Sequence, residues 1–68
     1  MSVNGKLTIN GNSTVKANSI EADIIDSSGT ITIGNDQSVS TIKADTINIT
    51  KGDYTNTVIS GKTDDYST

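Results

Sequence analysis

The sequence predicts an all-β fold of short, repetitive strands that is completed by oligomerisation. Three observations predict it. Of 68 residues, 25 are Thr, Ile or Val, which are stiff at χ1 and suit a pleated surface, while helix formers are scarce: one Leu, three Ala, one Glu and no Arg. Isoleucines alternate strictly with small polar residues through Thr30-Ile31-Thr32-Ile33 and Thr46-Ile47-Asn48-Ile49-Thr50, so one face of each strand is apolar and the other wet. The same phrase occurs earlier, between Gly5 and Ile24, so the chain repeats itself.

Residues 1–4 read as a leader, 5–60 as one repetitive β domain, and 61–68 as a polar tail that frays or caps. Lys6 to Asn10 is a strand with Leu7 and Ile9 on one face, ended by Asn10-Gly11, a strong hairpin or turn signal because both residues tolerate positive φ. Thr14 to Asn18 continues with Val15 and Ala17 inward. The apolar parity then changes, to Ile20, Ala22 and Ile24, and such a flip at Asn18-Ser19 requires a bulge or a corner. A second copy follows. Gly5–Ile9 aligns with Gly29–Ile33 at a spacing of 24, and Thr14–Ile20 aligns with Thr41–Ile47 at 27, with the parity flip recurring at Asp45. The repeats are therefore placed at about 5–25 and 29–50. Lys51-Gly52-Asp53-Tyr54 breaks the pattern, and Thr57 to Ser60 starts a last strand.

The apolar stripe expected to be buried is Leu7, Ile9, Ile20, Ile24, Ile31, Ile33, Ile47 and Ile49. Fifteen Leu, Ile and Val with no Phe or Trp are few for 68 residues, and there is no cysteine to form a disulfide. Two repeats also fall short of the three or so that a repeat array normally needs. Both shortages predict that other copies of the chain complete the core, as an obligate homo-oligomer with the stripe at its axis.

The composition argues against several functions. Net charge is −3, with no Arg and only Tyr54 and Tyr66 as aromatics, the opposite of a nucleic-acid surface. No apolar run approaches a membrane span. There is no His and no Cys, which excludes imidazole bases, thiolate nucleophiles and ordinary zinc sites. Gly61-Lys62-Thr63 looks like the end of a phosphate loop, but the glycine required five residues earlier is Asn56. Glu21, Asp23 and Asp26 form a carboxylate cluster in sequence; Glu21 and Asp23 share the polar face of a strand, as a solvated edge does. Asp64 and Asp65 lack the alternating spacing of a calcium loop and read as solvated charge. The sequons at Asn12 and Asn48 arise easily in a chain rich in Asn, Ser and Thr. The asparagines at 10, 12, 18, 35 and 48 read equally as turn chemistry or, for some of them, as a ladder stacked along an oligomer axis. No catalytic residue, cofactor or metal is assigned, and an enzyme is not expected.

Asp26-Ser-Ser-Gly-Thr-Ile-Thr-Ile-Gly34, followed by Ser40-Thr-Ile-Lys-Ala-Asp-Thr-Ile-Asn-Ile49, resembles the Thr/Ile/Gly/Asn-rich repeats of viral fibres, spikes and decoration proteins. Gly5-Lys-Leu-Thr-Ile-Asn-Gly-Asn12 is similar to a phrase common in them. The resemblance covers roughly residues 5 to 50. It implies a β-prism or triple β-helix built by a homotrimer, in a virion assembled in the host cytoplasm and contacting other virion proteins. Fibres of that class are long, so a chain of 68 residues is expected to be a small spike, cement or decoration subunit. A second resemblance is to polymer-forming bacterial β-solenoids of the bactofilin type, whose turns also run V-x-A-x-x-I. A carbohydrate-binding β module would require more exposed aromatics than two tyrosines.

Overall fold

Strands form where the alternation predicts them, and the corners between them set which residues point inward. The computed structural model describes residues 1–66, with the backbone alone at 63–65. Eight strands follow one another: β1 (Lys6–Ile9), β2 (Thr14–Ala17), β3 (Ile20–Glu21), β4 (Ile24–Gly34), β5 (Ser40–Lys43), β6 (Thr46–Thr55), β7 (Thr57–Ser60) and β8 (Thr63–Tyr66). Every pairing between them is parallel. Parallel partners cannot be joined by a tight hairpin, so the chain winds. The result is a β-solenoid of about three turns.

Three ladders make the three sides of each coil. The first side stacks β1, residues 24–27 of β4, residues 46–49 of β6, and β8. The second stacks β2, residues 30–34 of β4 and residues 51–55 of β6. The third stacks β3, β5 and β7. The leader joins this last ladder: Ser2 bridges Glu21, and the Val3 amide donates to the Glu21 carbonyl at 2.8 Å. The C-terminal stretch, expected as a tail, supplies β8 on the first side; Ser67 and Thr68 lie outside the described residues.

The repeat spacing is shorter than the sequence alignment predicts. Lys6 pairs with Ile24, Ile24 with Thr46 and Thr46 with Thr63, so successive coils take 18, 22 and 17 residues on the first side. Leu7 opposes Ile25, and residues 30–33 oppose Thr14–Ala17 of the preceding coil. The alignment at 24 and 27 had matched one side of a coil to the next side of another. The error has a physical origin. All three sides carry the same alternation, and from Ile25 to Ile33 it runs unbroken through a corner, so self-similarity alone does not distinguish a step of one coil from a step of one coil and one side.

The core lies inside the single chain. Ile9, Ile20, Ile25, Ile31, Ile33, Ile42, Ile47 and Ile49 are buried, with Ala22 and Ala44 at the corners. This corrects the expectation that the stripe needs other chains at an oligomer axis: winding three sides around one lumen lets the chain bury its own isoleucines. Ile24 is corrected as well. It is 39% exposed, and Ile25 takes the inward place. The sequence reading ran one parity from Ile20 to Ile24, but a second corner at Asp23 flips it again.

Two glycines show how tightly coils stack at corners. A Cβ on Gly29 would overlap the carbonyl oxygens of Asn10 and Ser13, the two ends of the turn that closes the same corner one coil below. Gly34 has φ +98°, and a Cβ there would overlap the Thr55 carbonyl oxygen. Only glycine combines that dihedral with that approach.

Candidate functional site

Of the residues singled out as a functional stripe, all but Ile24 form one lumen. Ile20, Ile31, Ile33 and Ile47 are at most 1% exposed and Ile9 and Ile49 are nearly so, whereas Leu7 is only half-buried. Ile25 and Ile42 belong to the same lumen and were missed. Ile42 could have been found from Thr41-Ile42-Lys43-Ala44, which keeps strict alternation. Two buried inward positions are polar: Ser40, 2% exposed, at the start of β5, and Ser27, 1% exposed, whose hydroxyl has no hydrogen-bond partner among the described residues, in a row between Ile9 and Ile49.

Completeness separates the middle of the lumen from its ends. The partly buried apolar residues packed on the core are Val3, Leu7, Val15, Ala17, Tyr54 and Ile59. The first four sit on the leader, β1 and β2, and the other two on the last coil. Met1 and Tyr66, 51% and 43% exposed, add to the same two ends. Among the described residues, β1 and β2 each pair on one edge only, with β4, and β7 and β8 each on one edge, with β5 and β6. At the C-terminal end the Tyr54 and Tyr66 rings meet edge to face, 6.3 Å between centroids. Burial, and secondarily the charge of Tyr66, pushes the Tyr54 phenol above its ordinary pKa, and its hydroxyl has no partner among the described residues.

The corner between the third and first sides is concave. It holds a groove of about 530 Å³ with Ala22, Ala44 and Gly61 among its lining residues. Backbone bonds step along it, from the Asp23 amide to the Gly5 carbonyl, from Asp45 to Asp23 and from Lys62 to Asp45, at 2.9–3.0 Å. Glu21, Lys43, Asp23 and Asp45 line it with mixed charge. The three carboxylates close together in sequence lie on different parts of the coil. Glu21 is on the third side, Asp23 at the corner, and Asp26 on the first side, 3.5 Å from the Lys6 ammonium. Among the described residues there is no group of three or more side chains suited to a metal ion. Gly61-Lys62 simply makes the corner before β8, and the side chains of Asp64 and Asp65 lie outside the described residues.

The asparagines for which bonds are seen serve turns and one contact between coils of the same chain. Asn35 closes its own turn, its Oδ1 accepting from the Gln37 and Ser38 amides at 2.8 and 3.0 Å. Its Nδ2 also donates to Asn18 Oδ1 at 3.3 Å, one coil away at the same corner, where Asn56 follows with φ +51°. Asn10 begins the turn whose Ser13 amide donates to its carbonyl, and Asn48 lies exposed on the outer face of β6. No helix among the described residues is long and apolar enough to cross a membrane. Comparison with known proteins finds no matching family model, no matching curated protein and no matching solved structure.

Proposed function

We propose that this chain is a structural module: a short, stiff β-solenoid without enzymatic activity that works by associating with copies of itself through its coil ends. One observation carries the reading. The half-buried apolar residues packed on the core are confined to the first and last coils, while the middle coil is complete. A lumen that is finished along its sides and unfinished at its ends is suited to end-on association, because burying those ends adds apolar area and covers open strand edges. This reading lies closest to the polymer-forming solenoid scaffold. The trimeric virion element expected from sequence places the isoleucine stripe at an oligomer axis, whereas Ile9, Ile20, Ile31, Ile33, Ile47 and Ile49 are buried within one chain.

Sedimentation across a concentration series tests the proposal. Species larger than one chain should grow with concentration, and the melting temperature should rise with it, because assembly binds only the folded chain. A folded monomer at all concentrations would remove the reading. Replacing Glu21, Asp23 and Asp26 together by Ala should leave assembly intact, and a turnover reaction lost in that variant would overturn the non-enzymatic part.

A further inference from the structure

The staggered ends of the solenoid specify how two copies meet. On the third side the N-terminal end carries one extra row, the leader at Ser2 stacked on β3. On the first side the C-terminal end carries one extra row, β8 stacked on β6. We infer that copies join head to tail, with the leader of one copy laid along β7 of the next and β1 laid along β8. This rests on the structural reading above and adds to it the polarity and the register of the joint.

The levels allow this placement and specify its pairing. The third side ends on β7, which has an open edge among the described residues, and the first side ends on β8. A copy advanced by four levels puts its leader directly on the former and its β1 directly on the latter. The second side, which has neither extra row, is then left one strand short between residues 51–55 and β2 of the incoming copy. Pairing is therefore made on two sides out of three. The end coils are close to neutral, with Lys6 and Lys16 against Glu21 and Asp23 in residues 1–23 and Lys51 and Lys62 against Asp53, Asp64 and Asp65 in residues 46–68, so no large like charge opposes the joint. Of the exposed apolar residues, Met1 lies at one end and Tyr66 at the other, where the joint covers both, while Val58 points outward from β7.

The row Ser2, Glu21, Lys43, Ser60 on the outer face of the third side makes the joint testable. In a head-to-tail stack Ser2 of one copy becomes the next member of that row after Ser60 of the other. Neighbouring rows lie about 4.8 Å apart, within the Cα separation of roughly 4.4–6.8 Å that a disulfide needs. Within one chain Ser2 and Ser60 are three rows apart, about 14 Å, too far to bridge. The chain has no cysteine, so the background is clean. The experiment oxidises the full chain carrying Ser2→Cys and Ser60→Cys at a concentration where sedimentation shows assembly. The expected result is a ladder of covalent multimers that collapses on reduction, with neither single variant cross-linking to itself. Glu21→Cys with Lys43→Cys, which should close within one chain, verifies that neighbours in this row can be bridged in a folded protein. Dimers from either single variant would show like ends meeting and overturn the inference. Assembly without a cross-link, with the Glu21/Lys43 control closed, would overturn it too while leaving the structural reading in place. A monomer at every concentration would overturn both.

Discussion

The middle coil and the end coils are written in the same alternation, yet they are stabilised differently. In the middle coil, Ile25, Ile33 and Ile42 are fully buried with an inward side chain in the coil above and the coil below, and Ile31 is fully buried between Val15 and Gly52. At the N-terminal end, Leu7 and Val15 have a neighbour on one side only and stay partly exposed, while Ile9 and Ile20 of the same coil are buried. The lesson is that in a solenoid both the position of a coil and the place of a residue within it set what a side chain contributes. Each coil is a nearest neighbour of two others at most.

Glycine substitutions give the sharpest test of that contrast. Gly34→Ala combines a left-handed dihedral with overlap of the Thr55 carbonyl and should cost about 3 kcal/mol or more, as should Gly29→Ala against two carbonyls. Gly5→Ala, at the first corner with φ +102° and open space around its missing Cβ, should cost only the dihedral strain of roughly 1–2 kcal/mol. Urea denaturation of the three variants reads the difference, and equal losses would contradict it.

Core truncation should follow the same order with smaller effects. Ile31→Ala or Ile25→Ala should cost about 2–5 kcal/mol in chemical denaturation. Leu7→Ala should lose visibly less at low protein concentration, where the ends are uncovered, and the gap should narrow as assembly covers it. Ile24→Thr, on the outer face, should stay within about 0.5 kcal/mol. If Ile24→Thr were as damaging as Ile25→Thr, the corner at Asp23 would be misplaced. Ser27→Ala removes a buried hydroxyl without a partner and should raise stability by roughly 1 kcal/mol.

The smallest expected effect is an alkaline one at the C-terminal end. The Tyr54 phenol is held above its ordinary value by burial and then by Tyr66. Folding therefore favours the neutral phenol. The associated stability is fully present below the ordinary tyrosine value near 10 and is lost as pH rises through the higher folded value. Thermal melts of the parent chain and of Tyr54→Phe between pH 9 and pH 11 should diverge slightly, the variant losing less. Identical slopes would mean that Tyr54 is ionised as easily in the folded chain as in the unfolded one.

Much of this architecture is legible in the chain itself. Thr30-Ile31-Thr32-Ile33 and Thr46-Ile47-Asn48-Ile49 announce strands with one apolar face, and the structure places all four isoleucines inward. The parity flips at Asn18-Ser19 and at Asp45 announce corners, and both are corners. Reading them needs only the rule that side chains alternate along an extended chain. The flip at Asp23 was missed because Ile24 and Ile25 are adjacent, so either parity has an isoleucine to offer.

What the sequence determined by itself is local: an all-β chain, its alternating faces, its turns at Asn and Gly, and the absence of imidazole and thiol chemistry. The tertiary structure decided which strand lies on which. Leu7 could face Ile25 or Ile31 with equal apolar match, and only the carbonyls of Asn10 and Ser13 stacked over Gly29, the leader seated on β3, and the Asn18–Asn35 pair select a coil of about 17 to 22 residues. Those contacts join residues 16 to 19 positions apart, most of them through backbone groups that every residue carries alike and one through the side-chain amides of Asn18 and Asn35. Alternation sets the face of a strand; the closing of corners over one another sets its neighbour, and with it the fact that the isoleucine lumen is closed by one chain and open only at its ends.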